Sequence, residues 1–182
     1  MSEAKGNYVI DGQTTDQFGE NINFYADWVK SEAHRTGLNI QCVLSRAGFP
    51  TLNIELAPIP KPSATPAWGE KITLQLTSKE LFAAGAVILG VLPSCIGSYH
   101  GSSKNKGFSI FDNMDRGVAI SLTEGGKSLG HLVSPDQRIE LAAFVVRRIS
   151  DALKVSVAEV LTMMPMVYRD YGPQKKKGGS HE

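Results

Sequence analysis

The segment Lys71–Leu92, which reads KITLQLTSKELFAAGAVILGVL, decides the kind of fold that the chain forms. Its first six residues alternate apolar and polar side chains, which predicts a half-buried strand. Thr77 and Glu80 have the spacing of a capping box, so they predict the start of a helix over residues 81–92. That helix is apolar on nearly all sides, and we expect most of its surface to be buried.

The chain after this segment predicts more strands and then two helices. Gly97–Gly107 is rich in glycine and polar residues and is interpreted as a loop. Ser134, Pro135 and Gln137 have the pattern of a helix start, and the helix should run to about Leu153. A second capping pattern, Ser156 to Glu159, predicts a short helix that ends near Pro165. The predicted strands are Phe108–Phe111, Val118–Leu122 and Ser128–Val133.

The chain before the segment predicts a helix and a hairpin. Apolar residues at spacings of three and four predict a helix over Ile22–Thr36. Two apolar runs, Leu38–Leu44 and Thr51–Ala57, predict a hairpin, and the proline-rich Pro58–Pro66 predicts a loop. We therefore expect one α+β domain of antiparallel sheets packed against helices. The expected domain boundaries are a flexible arm over 1–20, the domain over 21–171 and a flexible basic tail over 172–182.

Composition restricts the classes of function. The 182 residues include 19 Lys and Arg and 18 Asp and Glu, so the net charge of +1 excludes a strongly cationic nucleic-acid binder but not a local basic patch. Cys42 and Cys95 lack the spacing of a zinc or redox motif. No signal peptide is visible, and no apolar run reaches the ~18 residues of a membrane span. We expect a cytoplasmic protein that does not contact membranes and needs no cofactor or metal.

Aromatic and cationic residues alternate in two regions, the arrangement that single-strand binders use for base stacking and phosphate contact. One region extends from Ser98 to Lys127 and includes His100 and Phe111, and the other contains Arg46, Phe49, Trp68 and Lys71. The residues predicted to contact nucleic acid are Lys71, Tyr99, Lys104, Lys106, Phe108, Arg116 and Lys127.

Residues Lys71–Ala152 resemble the Whirly family of single-stranded DNA-binding proteins. The matching motifs are the helix start Leu76–Leu81, the strand Val118–Leu122 and the segment His131–Pro135 before the closing helix. The related positive-cofactor-four family of transcriptional coactivators shares this arrangement of sheet and helix. The resemblance implies a Whirly-like α+β fold, a homo-oligomer (dimer or tetramer) formed through apolar helices, and single strands bound along the sheets without a cofactor. The lysine-glycine-lysine motif of Whirly oligomers is absent from this chain.

Three functions remain open from the sequence. The first is a non-enzymatic protein that binds single-stranded DNA, or RNA, largely independently of sequence. The second is a structural or interaction oligomer without affinity for nucleic acid, which suits a net charge near zero. The third is a small enzyme with a site near Cys95, His100 and Asp112, although no catalytic signature is present. We expect the first of the three.

Overall fold

The computed structural model describes residues 7–10, 13–16, 18–25 and 35–168, and it has an α+β fold. Within these residues a two-stranded antiparallel hairpin precedes two four-stranded antiparallel sheets and three helices. The hairpin consists of β1 (Asn7–Ile10) and β2 (Gln13–Asp16). Sheet 1 contains, in spatial order, β3 (Phe18–Tyr25), β4 (Thr36–Leu44), β5 (Pro50–Pro58) and β6 (Ile72–Gln75). Sheet 2 contains β7 (Ser94–His100), β8 (Lys106–Asp112), β9 (Val118–Glu124) and β10 (Lys127–Val133).

Each sheet is followed by a helix that begins with a capping box. Helix α1 (Ser78–Ile88) follows sheet 1, and helix α2 (Pro135–Leu153) follows sheet 2. The chain therefore repeats a unit of four strands and one helix, a repeat that the sequence does not make obvious. Helix α3 (Val157–Tyr168) comes last and begins with the predicted Ser156–Glu159 capping contacts.

One core joins the two units. The inner faces of both sheets pack against α1 and α2, because alternate residues on each strand are apolar and point to the same side. Gly85 of α1 lies directly against Ile149 of α2, where a Cβ atom would be only 2.5 Å from the isoleucine. The largest fully buried side chains are Leu38, Ile40, Leu52, Leu56, Ile72, Leu74, Leu81, Ile110, Ile120, Leu122, Leu141 and Ile149.

Several sequence predictions are confirmed by the fold. The α+β class, the hairpin, the proline-rich loop, the three strands after residue 105 and the starts of α1 and α2 are all present. Helix α1 is shorter than expected, since it ends at Ile88 rather than Leu92. Gly90 has a φ of +76°, and this left-handed residue lets the Val91 amide turn back to the Ala86 carbonyl and end the helix.

Two predictions of local structure are wrong. The helix expected over Ile22–Thr36 is a strand at its first residues, because β3 extends through Tyr25 and pairs with β4; residues 26–34 lie outside the described part. Ile22 and Phe24 alternate with polar residues, and this period of two prevails over the helical spacing. The loop expected over Gly97–Gly107 begins as strand, since β7 continues to His100.

The termini are covered only in part. The region expected to be a flexible arm contains β1, β2 and the start of β3, and the expected basic tail over 172–182 lies outside the described residues. In the described part of the chain, no helix has both the length and the apolarity that a membrane crossing requires.

Candidate nucleic-acid interface

Tyr99 lies on a β-bulge at the end of β7. The register between β7 and β8 shifts between Gly97 and His100, so the two residues between them have no partner in the ladder. Tyr99 has a φ of +65° and is 79% exposed. A bulky residue in the left-handed region costs roughly 1–2 kcal/mol, and bulges commonly redirect a side chain next to a functional site. The fold therefore presents this ring to solvent at a local cost in stability.

A groove of about 580 Å³ lies beside the bulge and contains residues from both structural units. The turn between β4 and β5 contributes Arg46, strand β6 contributes Thr73 and Gln75, and sheet 2 contributes His100 and Lys106. Residues from the two aromatic and cationic regions of the sequence thus come together in one place. The exposed Arg46 makes the groove suitable for contact with a phosphate-bearing chain.

The groove wall is fixed by a side-chain contact between His100 and Glu80 at the start of α1. Glu80 Oε2 accepts the Thr77 amide, while its Oε1 lies 2.8 Å from His100 Nε2. The His100 ring in turn packs edge to face on Phe108. A Cβ atom at Gly97 would overlap both Glu80 and Phe108, so this close approach requires glycine. The capping glutamate therefore also positions His100.

Three of the predicted phosphate-binding lysines are engaged within the protein. Lys71 Nζ lies 2.9 Å from Glu55, and Lys127 Nζ donates to the Glu70 carbonyl at 2.6 Å. Lys106 Nζ lies 3.0 Å from Glu124 and donates to the Thr73 carbonyl at 3.1 Å. Because Lys106 and Lys127 reach from sheet 2 to the region of β6, they link the two sheets. Each retains spare hydrogen-bonding capacity, but none is a free cation.

Arg116 and Lys104 are the freer predicted cations. Both are exposed in turns of sheet 2, and within the described residues neither side chain has an ion pair or hydrogen bond. Asp112, which could have cancelled the nearby positive charge, forms two hydrogen bonds with Arg138. Burial raises the pKa of Asp112, but the hydrogen bonds from Arg138 and the Met114 amide outweigh it and hold that pKa below its ordinary value.

The predicted aromatic Phe108 lies in the core. It is 3% exposed, so its ring has no face available for a base. Lys106 and Phe108 do share a face, as their spacing predicts, but it is the inner face of sheet 2. Phe111 points to the other side of the same strand and is 41% exposed. Phe111 is thus the aromatic residue of β8 that faces outward. The sequence analysis places it in the aromatic and cationic region but does not count it among the predicted contacts.

The aromatic residues of the second region are less available. Phe49 packs edge to face on Phe82 with ring centroids 6.3 Å apart. Trp68 lies in a short 3-10 helix, Trp68–Glu70, and is half-buried. Arg46 is therefore the exposed member of that region that lines the groove.

The geometry around Cys95 does not suit a nucleophile. Burial, together with the Glu80 carboxylate, raises the pKa of Cys95 to about 11, so the thiol stays protonated at neutral pH. The described residues include no group of three or more His, Cys, Asp or Glu side chains placed to hold a metal ion.

The sequence analysis misses a row of amide side chains across the outer face of sheet 1. The strand registers align Asn21 with Gln41, Gln41 with Asn53, and Asn53 with Gln75. The signal in the sequence is the alternation of amides with apolar residues in each strand, which becomes a row only when the register is known.

Comparisons with known proteins give one structural similarity. No family model matches the chain, and no curated protein matches it. Among solved structures, the chain is similar to the crystal structures of MRP1/MRP2 from Trypanosoma brucei, with a TM-score of 0.49 and 9% sequence identity, over 71% of this chain and 83% of that one. Function is therefore inferred from the residues of this chain.

Proposed function

We propose that this protein binds single-stranded nucleic acid, DNA or RNA, without catalysing a reaction on it. The observation that carries the proposal is the exposed Tyr99 ring on its bulge, beside a groove that contains Arg46 and Lys106. An exposed aromatic face next to a cationic channel is the arrangement by which proteins bind single strands without reading their sequence.

The outer face of sheet 2 is a second candidate surface for a single strand. Phe111 lies in a cross-strand row with Ala119 and, one strand further, Leu132, while Ser109 and Ser121 form the neighbouring row. Ala119 and Ser109 are small, so they leave the Phe111 ring accessible to a base. Arg116 follows shortly after Phe111 and is free to contact a phosphate. The resemblance of residues 71–152 to the Whirly family supports the same function without a cofactor.

A direct test is the binding of labelled oligo-dT and oligo-U to the full chain, measured by fluorescence anisotropy. Tyr99→Ala should weaken binding by ~1–3 kcal/mol, the usual contribution of a stacked base. Tyr99→Phe keeps the ring and should bind as the wild type does, which makes it the matched control. If the wild-type protein binds neither oligo-dT nor oligo-U, the proposal is contradicted.

A second function is favoured by a different observation. Helix α3 contains only one charged residue. Its exposed side chains include Leu161, Met163, Met166 and Val167. Such a helix buries too little of its apolar surface within one chain. We propose that it packs against a second copy of the protein, and a homo-oligomer without nucleic-acid affinity is the alternative if the binding test fails.

A further inference from the structure

The row Asn21, Gln41, Asn53 and Gln75, here called the amide row, crosses all four strands of sheet 1 on its outer face. Neighbouring strands lie ~4.8 Å apart, so the row presents one amide side chain at each such step. Amides carry a hydrogen-bond donor and an acceptor in one plane. The row is therefore a surface without net charge but with dense hydrogen-bonding capacity.

The adjacent row on the same face is occupied by its own contacts. Glu55, which is 8% exposed, accepts hydrogen bonds from Asn39 Nδ2 at 3.1 Å and Thr73 Oγ1 at 3.0 Å, and it pairs with Lys71. Among the described residues, the amide row makes one side-chain hydrogen bond, which runs from Gln75 Nε2 to the Leu44 carbonyl at 3.3 Å. Asn21, Gln41 and Asn53 thus have side chains free to bind a ligand.

Amides are an unusual choice for these positions. Asn is depleted in strands, and a solvated face is commonly built from β-branched or charged residues that fit the pleat better. A single amide needs no explanation. Four aligned amides on four strands favour a ligand that their hydrogen-bonding groups match.

The amide row is continuous with the groove of the proposed nucleic-acid site. Asn53 and Gln75 line that groove together with Arg46 and Lys106. A strand with a phosphate on the exposed Arg46 would bring its next bases over sheet 1. The occupant of this face that best fits both the cations and the amides is a segment of the same single strand.

We infer that the amide row reads base edges and gives the protein a preference for adenine, an inference that rests on the proposed function. A side-chain amide pairs with adenine through two hydrogen bonds, to its N6 amino group and its N7. In a single strand the base edges are open, so adenine offers a donor beside an acceptor on two edges. Thymine offers such a pair only on its Watson–Crick edge.

The test compares labelled oligo-dT with the same strand in which scattered thymines are replaced by adenines; scattering prevents adenines from stacking on one another. The wild-type protein should bind the adenine-containing strand about tenfold more tightly. The double variant Asn21→Thr with Gln41→Thr, two positions of the amide row that do not line the groove, should lose this preference and keep its affinity for oligo-dT. Threonine is a good strand former, so these variants should fold.

Ser121→Thr, on the outer face of sheet 2, is the matched control and should keep the preference. Equal affinity of the wild-type protein for the two strands contradicts the inference alone, as does a preference that survives in the double variant. Absence of binding to either strand contradicts the proposed function, and the inference with it.

Discussion

Phe108 and Phe111 lie three residues apart on β8 and point to opposite faces of sheet 2. The first is 3% exposed in the core, and the second is 41% exposed on the outer face. Residues three apart on a strand have opposite orientations because side chains alternate with a period of two. The two rings therefore have different roles, one in folding and one at the proposed binding surface.

The first prediction separates these roles. Phe108→Ala should lower the free energy of unfolding by ~3–5 kcal/mol, since it removes a core ring and leaves a cavity. Phe111→Ala should change stability little and weaken oligo-dT binding by ~1–3 kcal/mol. Urea denaturation and anisotropy measure the two effects. A strongly destabilised Phe111→Ala variant with unchanged binding would show that this ring belongs to the fold alone.

The second prediction concerns the buried His131. Thr36 Oγ1 donates to the Gly130 carbonyl at 2.9 Å and lies 3.1 Å from His131 Nδ1, while His131 Nε2 has no hydrogen-bond partner among the described residues. Burial lowers the pKa of His131 from 6.5 to about 4. The unfolded chain thus binds more protons between pH 6.5 and 4, and stability falls as the pH falls through this window.

The expected loss is ~3 kcal/mol between pH 6.5 and pH 4, and stability from this group is complete above pH 6.5. His131→Met introduces a side chain of similar length that does not titrate, so the substitution should reduce this loss of stability markedly. Urea denaturation at a series of pH values measures it. An identical pH dependence in the variant and the wild type would exclude His131 as the cause.

The third prediction concerns Arg138, which links α2 to α1 and β8. Its Nε donates to the Ile88 carbonyl at 2.7 Å, its Nη2 donates to the Val87 carbonyl, and it forms two hydrogen bonds with Asp112. Arg138→Ala should lower the free energy of unfolding by roughly 2–3 kcal/mol, because a buried carboxylate and a helix end lose their donors. Arg147→Ala, an exposed arginine of the same helix, should cost under ~0.5 kcal/mol. Equal effects of the two substitutions would contradict this role.

The sequence predicts best where a local pattern has one meaning. The capping boxes at Thr77 and Ser134 mark the starts of α1 and α2 correctly, because a side chain and an amide three residues apart define the geometry. The helical spacing of Ile22 and Tyr25 is misleading, because a short apolar segment can fit both the helical period of 3.6 residues and the strand period of two. Pairing with β4 decides between the two structures. Propensity alone cannot resolve such a case.

The candidate site is only partly predictable for the same reason. Tyr99 and Arg116 are exposed, but Phe108 is buried because its orientation depends on the register of β8. The partners of Lys71, Lys106 and Lys127 lie on other strands or on the short 3-10 helix before β6, so contacts distant in sequence determine whether these cations are free. The amide row likewise exists only through the registers of four strands.

The fourth prediction concerns assembly through α3. Met166→Glu and Leu161→Glu place a charge on the exposed apolar surface of this helix and should shift the protein toward the monomer. Sedimentation equilibrium at micromolar concentration measures the species present. A wild-type protein that sediments only at 19.7 kDa would contradict assembly.

The most direct test of single-strand binding is the affinity for oligo-dT as a function of salt concentration. Arg46, Lys104 and Arg116 are the exposed cations assigned to phosphates, and each contact on a single strand contributes about −0.7 to the slope of log K against log salt. The expected slope is therefore about −2, and Lys104→Ala or Arg116→Ala should each make it shallower by about 0.7. An affinity that does not change with salt, or slopes that are the same in the variants and the wild type, would contradict the proposed binding of single strands.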